Sequence, residues 1–373
     1  MTRPAVISIS SQQFGTDLGV LKGSVPGINW VQINDLALIS AQKNWMPKHM
    51  QEQTVYGYET GPDIDAIWDR ARRLGVDLIS NVMKEQPVWA VMAGNFDYWN
   101  DEAMRLGCEE LGIPFLTLLR EHFLTADDYE DGLGYQGYRL KPKTAGVAVA
   151  GELSRHTLTK FNIIPDSRIR ITGFPRFDLW LRPIEPFFER PVILLSYLKG
   201  YGAQENFQEL LELTSAAAER YPDVPFIVKA KHAWELAEIK AMVRKLGDKV
   251  KVIETYDMPR LLHNARAIIG YNSLSLFEGL LTSSPIFIPQ WGDALRPPKS
   301  QAPCPTDPLL KDHMTFSGSV EEFLSGLDAA IAGRYRVSDL ADRQATFAKY
   351  VRHTPDEPAC HRVVKFIEEF RSR

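Results

Sequence analysis

The chain has 373 residues, 45% hydrophobic and 24% charged, with a net charge of −4. This is an ordinary globular composition whose length suits two domains, and its balance excludes a global basic field for nucleic acid. Cys108, Cys304 and Cys360 lie far apart, make no C-x-x-C pair and read as reduced thiols.

No apolar run approaches the roughly 20 residues of a membrane span. The opening MTRPAVISIS has neither the apolar core nor the cleavage site of an export signal. A cytoplasmic protein is expected. From the N-terminus, short apolar runs alternate with amphipathic segments. Strands are predicted at 4–10, 87–95, 113–119, 145–151 and 167–173. Helices are predicted at 62–75, with an acidic first turn and Gly75 as its stop, at 99–112 and near 152–162. This rhythm argues for parallel βαβ units.

The stretch LWLRPIEPFFERP (179–191) has three prolines and no period, and reads as a linker. A second series follows, with strands at 192–198, 225–231, 249–255, 265–271 and 284–290 and helices at 204–221 and 273–282. The last segment, 359–373, puts Val363, Phe366, Ile367 and Phe370 on one helical face. The expected organisation is a Rossmann-like domain over 1–180, a linker over 181–191 and a second Rossmann-like domain over 192–345. C-terminal helices over 346–373 would pack back on the first domain. Ligands of such sheets bind at the strands' carboxyl ends, which puts the expected site in the cleft between the two domains.

The chemistry-bearing residues cluster at those strand ends. In IIGYNSLSLFEG (268–279), a buried strand runs through Asn272 and Ser273 into a helix carrying Ser275 and Glu278. Free N–H groups, the helix dipole and the hydroxyls suit a phosphate, and Glu278 suits ribose hydroxyls; plain N-capping is the alternative. VKAKHAWE (228–235) delivers Lys229, Lys231 and His232, cations for a nucleotide or ordinary surface charges. Ser196, in the strand expected at 192–198, is a further nucleotide-binding candidate. TLLREHF (117–123) ends a strand with Arg120 and Glu121, an acid–base candidate or a structural ion pair. GFPRFD (173–178) offers Arg176 as an anion grip and Asp178 as a nucleophile, or the two as a clamp bracing the turn. Asp63 and Asp65 match a metal-binding D-x-D pattern but open a helix, where they complement its dipole. There is no Walker A, G-x-S-x-G or H-x-x-H motif, and no metal site is expected.

Taken in order, the strand ending in Arg-Glu, the Thr-Gly-x-Pro-Arg-Phe-Asp patch, the Lys/His patch and YNSLSLFEGLL…PIFIPQW resemble GT-B-fold glycosyltransferases of bacterial surface-polysaccharide biosynthesis. They resemble retaining β-Kdo transferases most, and bacterial sialyltransferases and CDP-glycerol-type transferases more distantly. The resemblance implies two doubly wound Rossmann-like domains facing across a cleft. It implies transfer of Kdo from CMP-Kdo onto a glycan or lipid-linked acceptor in O-antigen, capsule or lipopolysaccharide synthesis. It implies no cofactor beyond the nucleotide-sugar substrate. On it, Asp178 attacks the anomeric carbon, Glu121 is its acid–base partner, and Ser273 and Ser275 hold the phosphate. Arg120 or Arg176 would take the sugar carboxylate. Where the family's cytidine motif has His-Pro, His232 is followed here by Ala233. Lipid-linked acceptors would bring the protein to the inner face of the membrane, with Arg371 and Arg373 as contacts. Two alternatives use the same architecture: a nucleotide-sugar epimerase or hydrolase, and a two-lobed ligand-binding module without catalysis.

Overall fold

The computed structural model describes residues 3–10, 14–52, 61–96, 98–119, 143–185, 190–196, 204–231, 233–247, 249–254, 257–271, 273–292, 303 and 305–371. These divide into two compact units. The first takes residues up to 119, 143–181 and 349–371; the second takes 182–348.

The first unit runs β1 (Ala5–Ser10), α1 (Gly15–Ser24), β2 (Asn29–Asn34), α2 (Asp35–Gln42), α3 (Lys48–Glu52), α4 (Pro62–Met83), β3 (Val88–Ala93), α5 (Glu102–Leu111), β4 (Phe115–Leu118), β5 (Gly146–Val149), α6 (Glu152–Lys160) and β6 (Ile169–Ile171). Its sheet is parallel, in the order β2-β1-β3-β4-β5-β6. Strands β4 and β5 are buried at every position and β1 at all but its last, so they read as continuous apolar runs.

Helix α4 passes through Gly75, where a stop is predicted, and continues to Met83. The reason is a crossing with α5. A Cβ on Gly75 would lie 1.8 Å from the Ala103 carbonyl oxygen, and one on Gly107 would lie 2.5 Å from the Gly75 carbonyl carbon. The glycine serves backbone contact between helices there, whereas Gly112, at φ +65°, ends α5 in the left-handed conformation.

The second unit runs β7 (Val192–Leu195), α7 (Gln204–Arg220), β8 (Phe226–Lys229), α8 (Leu236–Lys245), β9 (Lys251–Ile253), α9 (Met258–Leu262), β10 (Ala267–Ile269), α10 (Leu274–Glu278), β11 (Ile286–Pro289), β12 (Thr315–Ser317) and α11 (Val320–Ile331). Its parallel sheet has the order β12-β11-β10-β7-β8-β9. Helix α12 (Leu340–Tyr350) starts among residues of the second unit and ends among those of the first.

Helix α13 (Ala359–Arg371) packs on the first unit's sheet. Phe370 occupies the space beside Gly146, with ring carbons 2.6–2.8 Å from where a Cβ would stand. Arg170 forms a two-pronged ion pair with Glu369. Arg371, the expected membrane contact, lays its guanidinium over Trp89, 3.8 Å from the ring centroid; Arg373 lies outside the described residues. Among the described residues, no helix is long and apolar enough to cross a membrane.

Candidate functional site

In the second sheet the chain leaves β7 toward β8 on one side, while β10 joins β7 on the other. The carboxyl ends of β7 and β10 therefore flank a topological switch point, where ligands of open α/β sheets bind. Gly270, just past β10, makes this edge tight: a Cβ there would stand 3.0 Å from Leu195 Cβ.

Ser196 follows β7 directly and is buried. Its hydroxyl donates to Glu235 Oε2 (3.0 Å) and accepts from the Lys231 N–H (2.8 Å), which also donates to Glu235 Oε2 (3.0 Å). The Ser196 N–H bonds to the Lys229 carbonyl at 3.0 Å. One buried carboxylate thus ties the ends of β7 and β8 together and fixes the backbone that presents Lys231. Sequence reading missed Glu235; the signal was an acidic residue a turn beyond a strand end, where a serine hydroxyl and a main-chain N–H need an acceptor.

On the other side, Ser273 caps α10, its hydroxyl accepting the Ser275 N–H at 3.3 Å. Glu278, at the end of α10, is 2% exposed and so is no solvated surface residue. The helix lies close on the sheet because Gly279 follows: a Cβ there would stand 2.8 Å from Ile286 Cδ1. Beyond it, Arg343 of α12 is fully buried and donates from Nη2 to the carbonyls of Gly279 (2.7 Å) and Ser284 (2.9 Å). Burial pushes its pKa down to about 10. A cation at the carbonyl end of this helical segment complements the dipole that points positive toward Ser273. His232 and Asn272 lie outside the described residues, as do Arg120 and Glu121.

The GFPRFD patch belongs to the first unit, and the structure gives it a different task. Asp178 Oδ1 accepts the Ala359 N–H (2.7 Å) and Oδ2 the Cys360 N–H (2.8 Å), so both oxygens cap the start of α13. Arg176 bonds through its main-chain N–H to Asp17 Oδ1 at 2.9 Å and rests its guanidinium on Phe177, 5.7 Å from the ring centroid. Gly173 is left-handed, at φ +69°, and a Cβ there would stand 2.2 Å from the Arg352 carbonyl oxygen. Buried Arg362 donates to the carbonyls of Thr172 (2.6 Å) and Arg352 (2.8 Å), to Thr354 Oγ1 (3.1 Å) and to the Glu357 carbonyl. The patch is a socket for the C-terminal segment. Arg176 is attached to Asp17 through its main chain, and Asp178 to the start of α13. Asp178 and the switch-point residues of the second sheet fall in different units.

His353 completes the socket, with Nε2 3.1 Å from the Phe177 carbonyl. Burial holds its pKa below the ordinary value, against the raising effects of that carbonyl and of Asp178, while Arg362 adds to the lowering. Above about pH 6.5 both folded and unfolded chains hold it neutral. As pH falls through that value the unfolded chain takes up the proton first, so the first unit loses stability. His353→Asn is expected to flatten the loss between about pH 6.5 and 5 in urea denaturation series, relative to wild type.

No family model matches the sequence, and no curated protein matches it significantly. Solved structures do. A UDP-N-acetylglucosamine 2-epimerase from Listeria monocytogenes superposes with a TM-score of 0.60 at 12% identity, over 99% of this chain and 97% of that one. S. aureus MnaA in complex with UDP gives 0.59 at 12%, over 98% and 96%. The UDP-GlcNAc 2-epimerase of Neisseria meningitidis bound to UDP-GlcNAc gives 0.52 at 13%, over 98% and 100%. The chain has the GT-B fold.

The same neighbours correct the functional expectation. Those from Listeria monocytogenes and Neisseria meningitidis carry the name UDP-GlcNAc 2-epimerase and the S. aureus one holds UDP, which overturns CMP-Kdo transfer through an aspartyl-sugar intermediate. The physical reason is that a serine-capped helix and strand-end cations report a nucleotide sugar's phosphates whatever happens to the sugar. Those features cannot separate transfer from epimerisation. Among the described residues, no three His, Cys, Asp or Glu side chains are placed to share a metal ion.

Proposed function

We propose that this protein is a nucleotide-sugar epimerase or hydrolase acting on a UDP-linked sugar without a glycan acceptor. The observation that carries the reading is fold similarity over nearly the whole of both chains to enzymes bound to UDP and UDP-GlcNAc. The serine-capped end of β10, beside the Ser196–Glu235–Lys231 network at the switch point, supports it from within. In this reading Ser273 and Ser275 meet the diphosphate, Lys229, Lys231 and His232 supply positive charge, and Glu278 takes the ribose hydroxyls. Inverting a carbon centre, or hydrolysing at one, needs a group that accepts and returns a proton. Glu121, just past the carboxyl end of β4, is the candidate.

The test has two steps. Saturating UDP is expected to raise the melting temperature more than CMP does; ligand at about 100 times its Kd adds roughly 2.7 kcal/mol. Incubating the protein with UDP-GlcNAc and no acceptor, followed by NMR of the sugar, is then expected to show an epimerised or released hexosamine. Stabilisation by CMP alone, or turnover only when a glycan acceptor is added, would sink the proposal.

A further inference from the structure

A fully buried arginine ordinarily faces a carboxylate. Arg343 of α12 does not. Burial alone displaces its pKa, and its Nε and Nη1 have no hydrogen-bond partner among the described residues. What it holds is backbone. A single nitrogen, Nη2, donates to the carbonyls of Gly279 and Ser284, both in the connection that leads from α10 to β11.

The Gly279 carbonyl is a knot. It also accepts the Thr282 N–H (3.1 Å) and the Thr282 hydroxyl (2.9 Å), and that hydroxyl accepts the Ser284 N–H (3.1 Å). Arg343 thus clamps a turn that is already bonded within itself. Burying the charge is costly, but a charged donor makes each bond stronger than a neutral one would. The residue that this stiffness fixes is Glu278, directly before Gly279 and 2% exposed. Its Cα–Cβ bond tilts toward the N-terminus of α10, where Ser273 caps the helix through the Ser275 N–H. The segment is pressed on the sheet from the other side: a Cβ on Gly279 would stand 2.8 Å from Ile286 Cδ1 and 3.2 Å from Ile268 Cδ1. The Glu278 backbone is therefore held by the Ser273 cap in front, the Arg343 clamp behind and the sheet beneath.

We propose that Arg343 is a positioning residue for Glu278: by clamping the Gly279 carbonyl it sets where the Glu278 carboxylate meets the ribose hydroxyls of the nucleotide, and so sets the preference for ribose over deoxyribose. The inference rests on the proposed assignment of Glu278 to those hydroxyls. Arg343 acts through the backbone and touches no ligand. Both of its bonds leave one nitrogen, so an ammonium can stand in for the guanidinium. Lysine keeps three donors on one atom, whereas methionine fills much of the space and donates nothing.

The experiment titrates UDP and 2′-deoxy-UDP calorimetrically into the full chain and into Arg343→Met, Arg343→Lys and Glu278→Ala. The ratio of the two affinities on one sample does not depend on the fraction folded, so a merely structural role for Arg343 would leave it unmoved. Wild type is expected to prefer UDP about tenfold, the worth of one charge-assisted hydrogen bond. Glu278→Ala and Arg343→Met should both lose most of that preference, and Arg343→Lys should keep it. Thr282→Val removes another bond to the same carbonyl and should lose part of it, which supplies the reading if the methionine variant does not fold. A preference that Glu278→Ala abolishes but that survives in Arg343→Met, or in Thr282→Val where the methionine variant does not fold, overturns the proposal and leaves the ribose assignment standing. No binding or no preference in wild type, or a preference that Glu278→Ala leaves unchanged, overturns the assignment and the proposal together.

Discussion

Gly75→Ala is expected to destabilise the first unit by about 3 kcal/mol or more, the upper end of what overpacking usually costs. The added methyl would stand 1.8 Å from the Ala103 carbonyl oxygen and 2.7 Å from its carbon, and both are backbone atoms of α5. No rotamer change can relieve such a contact. The two helices would have to move apart along a crossing where Ala71, Ala103 and Leu106 are buried against Trp45, Trp68 and Leu74. Separation opens voids in that cluster as it relieves the clash. Alanine is the better helix former by roughly 1 kcal/mol, which works against the effect and sets the sign of the control. Gly19→Ala in α1, with nothing within 4 Å of its Cβ position, should be neutral or stabilising. Urea denaturation of both variants separates the two cases. Equal effects at Gly75 and Gly19 would mean that the α4–α5 contact is looser than the structure has it.

That helix also shows where the sequence was readable and where it was not. The acidic first turn of 62–75 marked the start of α4, but Gly75 looked like a stop because glycine has both uses and only the partner helix decides between them. Strands β1, β3, β4 and β5 were legible because strands covered on both faces are written in apolar residues. Edge strand β2, NWVQIN, is half polar, and β12 has three residues, so neither gave a signal. In the second unit, the spacing of strand and helix brought Ser196, Lys231 and Ser273 to strand ends, as expected of a parallel sheet. Glu235 and Arg343 stayed hidden. The first acts through a hydrogen bond to a residue 39 positions away, and the second through carbonyls 59 and 64 positions away. Contacts of that range are a property of the fold; the local trace was Glu235, four residues past the Lys231 N–H that it accepts. Asp178 was the opposite case: a conspicuous local pattern whose partner, the start of α13, lies 181 residues downstream.

Asp178→Ala is therefore expected to act on stability and leave nucleotide binding alone. The substitution removes two charge-assisted hydrogen bonds and leaves the N–H groups of Ala359 and Cys360 without an acceptor in a buried setting. Losing an N-cap costs about 1 kcal/mol, and stranding buried donors adds roughly 1–3 kcal/mol. A total of about 2–4 kcal/mol is expected, with unfolding centred on the docking of α13. Asp178→Asn keeps one acceptor oxygen and the shape of the side chain, and should cost about half as much. If Asp178 instead touched the sugar, both variants would abolish turnover even in fully folded protein, and the asparagine would be no milder than the alanine. The deciding measurement is UDP affinity and turnover per folded molecule, taken well below each variant's melting temperature. Unchanged values beside a lowered Tm identify Asp178 as the residue that fastens the C-terminal helix to the first sheet. The GFPRFD patch is then conspicuous because a helix start, a left-handed glycine and a buried arginine all meet there.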